Sequence, residues 1–229
     1  SYQSAQYEND HRRLPSRVMY SIEINPRQSF SNWMRTIDHD YVIGNFEWTA
    51  MDYLGESAGG WYSFSERPKS LFPWHVSYTG DFDICGFRRP RSYYRDILFG
   101  NENKLAIFVL APVSTLGKGG GSHWGWEDVK PSWTWPGYEG KSLFVVAYSA
   151  CDSVQLYLND KLVGTKTTGR STEFKAVWQL PYGKGNLKAV GYLHGEKISE
   201  SQLVTAGKPL QVAMTADRPV IGADGKDLC

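Results

Sequence analysis

Long apolar runs are missing from this 229-residue sequence. No stretch approaches the roughly 18 consecutive apolar residues of a membrane-spanning helix. Charge of one sign is missing as well. Lys and Arg number 25 against 24 Asp and Glu, a formal net charge of +1, which leaves no electrostatic footprint for nucleic acid or an anionic membrane. Cysteine is scarce. Cys85, Cys151 and Cys229 are too few and too scattered for a disulfide framework or a zinc site, and the odd number suggests free thiols. There is no nucleotide-binding glycine loop, no Ser/His/Asp arrangement and no Cys/His pair. The polar opening SYQSAQYENDHRR does not read as a signal peptide.

Aromatic side chains are abundant: 9 Trp, 14 Tyr and 10 Phe make up 14% of the chain. Many of the tryptophans stand beside Gly or Pro, as in WGW, SWTWPGY and FPWHV. Rings on such loops either stack on sugar rings or pack hydrophobic turns of β-proteins. With 41% hydrophobic and 21% charged residues, the composition is that of a globular protein.

The chain changes character near residue 103. Before it, strands alternate with helices. Residues 17–22 predict a buried strand, followed by a turn at Asn25-Pro26 and a helix over 29–38 with Phe30, Trp33, Met34 and Ile37 on one face. A second strand follows over 41–46. A further helix is predicted over 90–99, opened by Pro90 and closed by Gly100, with Tyr94, Ile97 and Leu98 on one face. This order implies parallel strands covered by helices, an α/β layer or barrel. From Lys104 the helical pattern vanishes. LAIFVLAP, LFVVAYS, SVQLYLND, KLVGTK, FKAVWQLP and NLKAVGYLHG read as short strands, with Asn159-Asp160 as a two-residue hairpin turn. This spacing predicts an immunoglobulin-like β-sandwich. Leu116–Ser122 reads as a flexible loop, and a new strand pattern begins at KPLQVAMTADRP. Two or three parallel strands cannot close a barrel of eight. The expected organisation is a fragment: the end of an α/β layer or barrel over 1–103, a sandwich over 104–207 and the start of another β domain over 208–229.

Candidate chemistry concentrates at the ends of the first two strands. Glu23 ends an apolar strand, where a carboxylate is costly to bury unless partnered. It is either a capping or salt-bridged residue, or a nucleophile or general acid at the C-terminal end of a barrel strand. Trp48 follows Phe46 on one face of the second strand and, with Asp52, can line the same place. Glu47 is expected to face the surrounding helices or their solvent edge. The segment from Asp52 to Arg89 is too long for an ordinary loop and reads as an ordered rim carrying Trp61, Phe64, Phe72, Trp74, Tyr78, Phe82 and Phe87. His75 and His123 suit structural hydrogen bonding better than catalysis. Asp81 and Asp83 make a poor calcium loop. Trp124, Trp126, Trp133 and Trp135 either form a sugar platform or pack the sandwich against the barrel. Arg88, Arg89 and Arg91 are expected to cap or brace the final helix.

The stretches SYQSAQYENDH, RVMYSIE, VIGNFEWTAMDYLGES, FPWHVSYTGDFDICGFRRPRSYYRDILFG and WPGYEGKSLFVVAYSACDSVQLYLNDKLVG carry a resemblance. They resemble glycoside hydrolase family 2 of the bacterial β-galactosidase type: the end of its catalytic barrel and the immunoglobulin-like domain that follows. The resemblance implies that Glu23 is the catalytic nucleophile, that Trp48 forms an apolar floor under the sugar and that Asp52 binds sugar hydroxyls. Ser21-Ile22 departs from the family's usual residues before the nucleophile. The implied chemistry is retaining hydrolysis of a terminal β-galactoside through a covalent glycosyl-enzyme. β-Glucuronidase, β-mannosidase and a non-catalytic carbohydrate-binding or packing module are the alternatives. The family's acid/base Glu, preceded by Asn, lies upstream of the nucleophile; Asn101-Glu102 lies downstream and is a coincidence. The chain alone is therefore expected to be inactive. The expected partner is an oligosaccharide or other glycoside, with no cofactor, metal, nucleic acid or membrane and with room for a homo-oligomer. A periplasmic or secreted location is implied.

Overall fold

The computed structural model describes residues 4–56, 59–60, 75–102, 104–112, 124–216, 218–220 and 222–223. Trp61, Phe64, Phe72, Trp74, the glycine-rich loop at 116–122, His123 and Cys229 lie outside the described residues.

The front of the chain is a strand–helix–strand unit preceded by the short helix α1 (Tyr7–Arg13). β1 (Met19–Ile24) and β2 (Val42–Glu47) pair in parallel, and α2 (Ser29–Ile37) crosses between them. Both strands end one or two residues later than the apolar pattern alone predicts. After β1, Asn25 Oδ1 accepts from the Gln28 amide at 3.2 Å and Pro26 stands first in a 3-10 turn, so the chain leaves the strand directly into a helix.

α2 buries the face its apolar spacing predicts only in part. Ser29, Asn32, Met34 and Thr36 are its buried residues, whereas Ile37 is exposed. The reason is that the helix has two neighbours. Small polar residues fit close to the strands because their polar atoms bond locally: Thr36 Oγ1 donates to the Asn32 carbonyl and Asn32 Nδ2 to that of Gln28. Trp33 and Phe30 turn the other way, to Phe99 (ring centroids 4.5 Å apart) and Phe174 (6.2 Å).

The opposite face of the two-stranded sheet is open. Val18, Tyr20, Ile22, Ile43 and Phe46 are each more than half exposed, and Tyr20 and Phe46 meet edge to face.

α3 (Pro90–Phe99) has the predicted bounds, with Gly100 at φ +76° as its left-handed C-cap. Beyond it come β3 (Leu105–Leu110), β4 (Val129–Lys130), β5 (Ser142–Ser149), β6 (Ser153–Leu158), β7 (Lys161–Thr167), β8 (Lys175–Pro181), β9 (Asn186–Leu193) and β10 (Glu196–Val204). They form two antiparallel four-stranded sheets, ordered β4-β3-β5-β8 and β10-β9-β6-β7. Asn159 and Asp160 both have positive φ, as a tight β6–β7 hairpin of right-handed twist requires.

The core between the sheets is built from Leu105, Ile107, Val109, Leu143, Val145, Trp178 and Leu180 on one side, and Val154, Leu156, Leu187 and Ala189 on the other. Alternate residues of the first sheet, Ala106, Phe108, Val146 and Tyr148, pack instead against Tyr94, Ile97 and Leu98 of α3. A sheet covered on both faces has no polar side, which is why LAIFVL is apolar throughout and buried at every position. Residues 208–216 form no strand, and Leu210, Val212 and Met214 are almost fully exposed. The expected strand pattern finds no neighbour among the described residues to supply its hydrogen bonds.

Candidate active site

β1 and β2 end side by side. The Trp48 amide donates to the Ile24 carbonyl at 3.3 Å, so the indole-bearing residue leaves β2 beside the residue after Glu23. Glu23 itself is displaced from regular pairing. Ser21 faces Asn45 and Ile24 faces Glu47, so β1 holds one more residue than β2 across this step. Such a bulge re-aims a side chain. Glu23 also has φ +53°, a backbone state that costs free energy for a residue with a Cβ and recurs at functional positions. It is half-buried. Trp48 meets Tyr53 edge to face at 6.2 Å, and the Tyr53 hydroxyl donates to Glu56.

Asp52 occupies a different setting. Its side chain is 1% exposed and both oxygens are engaged: Oδ1 accepts from the Gly80 amide at 2.9 Å, and Oδ2 from the Arg89 guanidinium. Burial pushes its pKa up, against the opposing pull of Arg89. The carboxylate thus fastens 49–53 to the returning segment 77–82. The amides of Phe82 and Ser77 add to this seam by donating to the carbonyls of Ala50 (3.0 Å) and Tyr53 (2.9 Å). The approach is close enough that a Cβ on Gly80 would overlap the backbone of Met51 and Asp52.

A row of alternating charges supports this seam from behind. Ser29 Oγ donates to Glu47 at 3.1 Å, and Arg95 lies 3.0 Å from the other Glu47 oxygen. Arg95 also donates to Asp81 at 2.9 Å. Arg91, 2% exposed at its side chain, donates to the carbonyls of Tyr78 (2.7 Å) and Gly80 (2.7 Å) and reaches both Asp81 and Asp52. Glu47 therefore faces the helices, as strand alternation predicts. Burial raises its pKa to about 7 despite Arg95, and burial lowers that of Arg91 to about 9. Of the three arginines expected to brace α3, Arg88 does so through Ser92 and Asp96. Arg89 and Arg91 hold the loop instead. Sequence spacing does not single out Arg95, and it marks Asp81 only as a poor calcium ligand; the one signal is the dense run of arginines after an Asp-rich turn.

Several of the remaining candidates have structural employment. Asp83 Oδ1 caps its own turn by accepting from the Cys85 and Phe87 amides, both at 2.9 Å. Among the described residues no group of three or more His, Cys, Asp or Glu side chains could hold a metal ion. Trp133 is fully buried and donates to the Gly183 carbonyl at 2.9 Å, and Trp135 packs on the same core. Of the sandwich tryptophans, Trp126 joins the packing against α3, through Tyr94 and Tyr148. His75 is exposed, and Asn101-Glu102 lies just past α3 outside any strand. No helix among the described residues is long and apolar enough to cross a membrane.

Residues 140–199 match a family described as a domain of unknown function (DUF4982). The chain is 28% identical over 193 residues to a β-galactosidase of Bacteroides ovatus, aligning 84% of this chain with 19% of that protein. It is 24% identical over 251 residues to a β-galactosidase of Thermoanaerobacter pseudethanolicus, covering 94% of this chain and 30% of that protein. Among solved structures, a glycosyl hydrolase family 2 member from Bacteroides cellulosilyticus superposes with a TM-score of 0.86 at 37% identity, over 98% of this chain and 29% of that one. A second family 2 structure, from Bacteroides cellulosilyticus DSM 14838, gives 0.78 at 34% identity, over 98% and 27%. The chain thus spans under a third of the length of each of these relatives, and over that span it belongs to glycoside hydrolase family 2.

Proposed function

We propose that this chain forms one wall of the sugar site of a retaining exo-β-glycosidase of β-galactosidase type. Glu23 attacks the anomeric carbon, and water then hydrolyses the covalent glycosyl-enzyme. A second carboxyl, about 5–5.5 Å from the first in retaining enzymes, protonates the leaving group and later activates the water. In this reading it comes from residues outside this chain, so the chain by itself turns over no glycoside. Trp48 is the apolar floor under the sugar. Asp52 fixes the wall rather than touching the sugar, because its oxygens already serve Gly80 and Arg89.

The observation that carries the reading is the displacement of Glu23 at a parallel strand's C-terminal end, with Trp48 hydrogen-bonded alongside. In a (β/α)8 barrel, catalytic residues come from those strand ends. β1 and β2 act as its last two strands, and their open apolar face is the surface that six more strands would fill. The strand order of the following domain fits an immunoglobulin-like sandwich. The galactose reading is favoured over a glucuronide because no Asn, and hence no Asn-x-Lys for a sugar carboxylate, occurs between residues 55 and 95. A Glu23→Ala substitution in a protein extended by the rest of the barrel tests the reading. Aryl β-galactoside hydrolysis should fall on the order of a thousandfold or more. Added azide should restore turnover and give the α-galactosyl azide. Unchanged hydrolysis in Glu23→Ala would refute the assignment.

A further inference from the structure

Two cavities open at the seam between the front unit and the sandwich, and Trp126 and Glu127 line both. The smaller, about 190 Å³, also contains Lys175, whose ammonium lies 4.7 Å over the Trp126 ring and 2.6 Å from Glu127. Lys175 thus covers the indole from that side. The larger, about 260 Å³, is walled by Tyr78 from the rim segment, by Arg89, Pro90 and Arg91 from the start of α3, and by Trp126 to Lys130 leading into β4. Lys175 does not line it, whereas Trp126 lines both spaces.

The charges around the larger cavity are already balanced. Lys130 pairs with Asp128 at 2.6 Å, Glu127 with Lys175, and Arg89 with Asp52. A charged ligand would gain little net attraction there. Paired carboxylates keep lone pairs, however, and paired ammonium and guanidinium groups keep N–H donors. Donors and acceptors around aromatic rings suit a neutral polyhydroxylated ring, whose hydroxyls both donate and accept and whose C–H face lies on an indole. Pockets for drug-sized ligands run from about 300 to 1,000 Å³. At about 260 Å³ this one holds a single sugar ring. The walls are held in place by Arg91, which donates to the carbonyls of Tyr78 and Trp124 (3.5 Å) on opposite sides of the seam.

We propose that this seam pocket, lined by Tyr78, Arg89, Trp126, Glu127, Asp128 and Lys130, is a saccharide subsite that takes one neutral sugar ring. The class of ligand rests on the function proposed above; the place rests on the pocket alone.

The test is calorimetric titration of the full 229-residue chain with lactose and with cellobiose. One of the two should bind with millimolar affinity. Trp126→Ala and Glu127→Gln should each weaken binding about tenfold or more, with the unfolding midpoint recorded for each. Should Trp126→Ala not fold, Glu127→Gln and Lys130→Ala decide, since Lys130 stands on the exposed rim. Leu162→Ala, an exposed position on β7 that does not line the pocket, should leave binding intact. No binding of either sugar, or equal binding in the pocket variants, would overturn the proposal. An inert Glu23 with sugar binding intact at the seam would instead sink the catalytic reading alone.

Discussion

Glu47 closes β2 with Ser29 Oγ on one carboxylate oxygen and the Arg95 guanidinium at the other, yet burial holds its pKa near 7. The folded state therefore keeps a proton that the unfolded chain, with the ordinary value of 4.5, has released. Between these values the native state binds more protons, so stability falls as pH rises. The contribution is fully present below pH 4.5 and lost as pH passes 7, with a total of about 3 kcal/mol. Denaturant unfolding of the chain and of Glu47→Gln across this range should show the slope in the first and lose most of it in the second. An unchanged slope would mean that another group titrates. Strand alternation makes the direction of Glu47 legible in the sequence. The burial of Asp52 is not legible, because its partner Arg89 stands 37 positions away and no local pattern links them.

At the scale of elements, α3 is read to the residue because its signals are local: a proline that tolerates the first turn and a glycine that accepts positive φ. The bulge in β1 leaves no such trace. It arises from pairing with β2, so the aim of Glu23 depends on register between strands and not on alternation within one. β10 was likewise absent from the strand pattern. Its exposed sequence EKISESQLV carries few apolar positions because it pairs on one side only, with β9 at the sheet's edge. The pairing of 49–53 with 77–82 rests on the bare backbone at Gly80. Gly80→Ala should force the two segments apart and destabilise the chain by about 1–3 kcal/mol in denaturant unfolding, because the obstructing atoms are backbone rather than yielding side-chain tips. Wild-type stability in that variant would show that the seam opens freely.

The whole molecule joins a sheet buried on both faces to a sheet open on one. α3 is the tie, packing on the sandwich through Tyr94, Ile97 and Leu98, with the Tyr94 hydroxyl donating to the Glu173 carbonyl at 2.8 Å. The change from helix to strand periodicity near residue 103 makes this division legible, whereas the sharing of Trp126 and Lys175 across it does not show in either pattern. The open face of Tyr20, Ile22, Ile43 and Phe46 should make the isolated chain self-associate. In sedimentation velocity, an Ile43→Lys/Phe46→Lys double variant should run as a monomer where the parent shifts with concentration. Its stability should stay within about 0.5 kcal/mol of the parent, as for other exposed positions. Concentration-independent sedimentation of the parent would contradict an uncovered sheet face.

The central claim is that Glu23 forms the bond to the sugar. The most direct measurement is mass-spectrometric mapping of the residue labelled by a deoxyfluoro β-galactosyl fluoride, in a protein extended by the rest of the proposed barrel. A peptide bearing Glu23 and the fluorosugar is the predicted result; the label on any other carboxylate would contradict it.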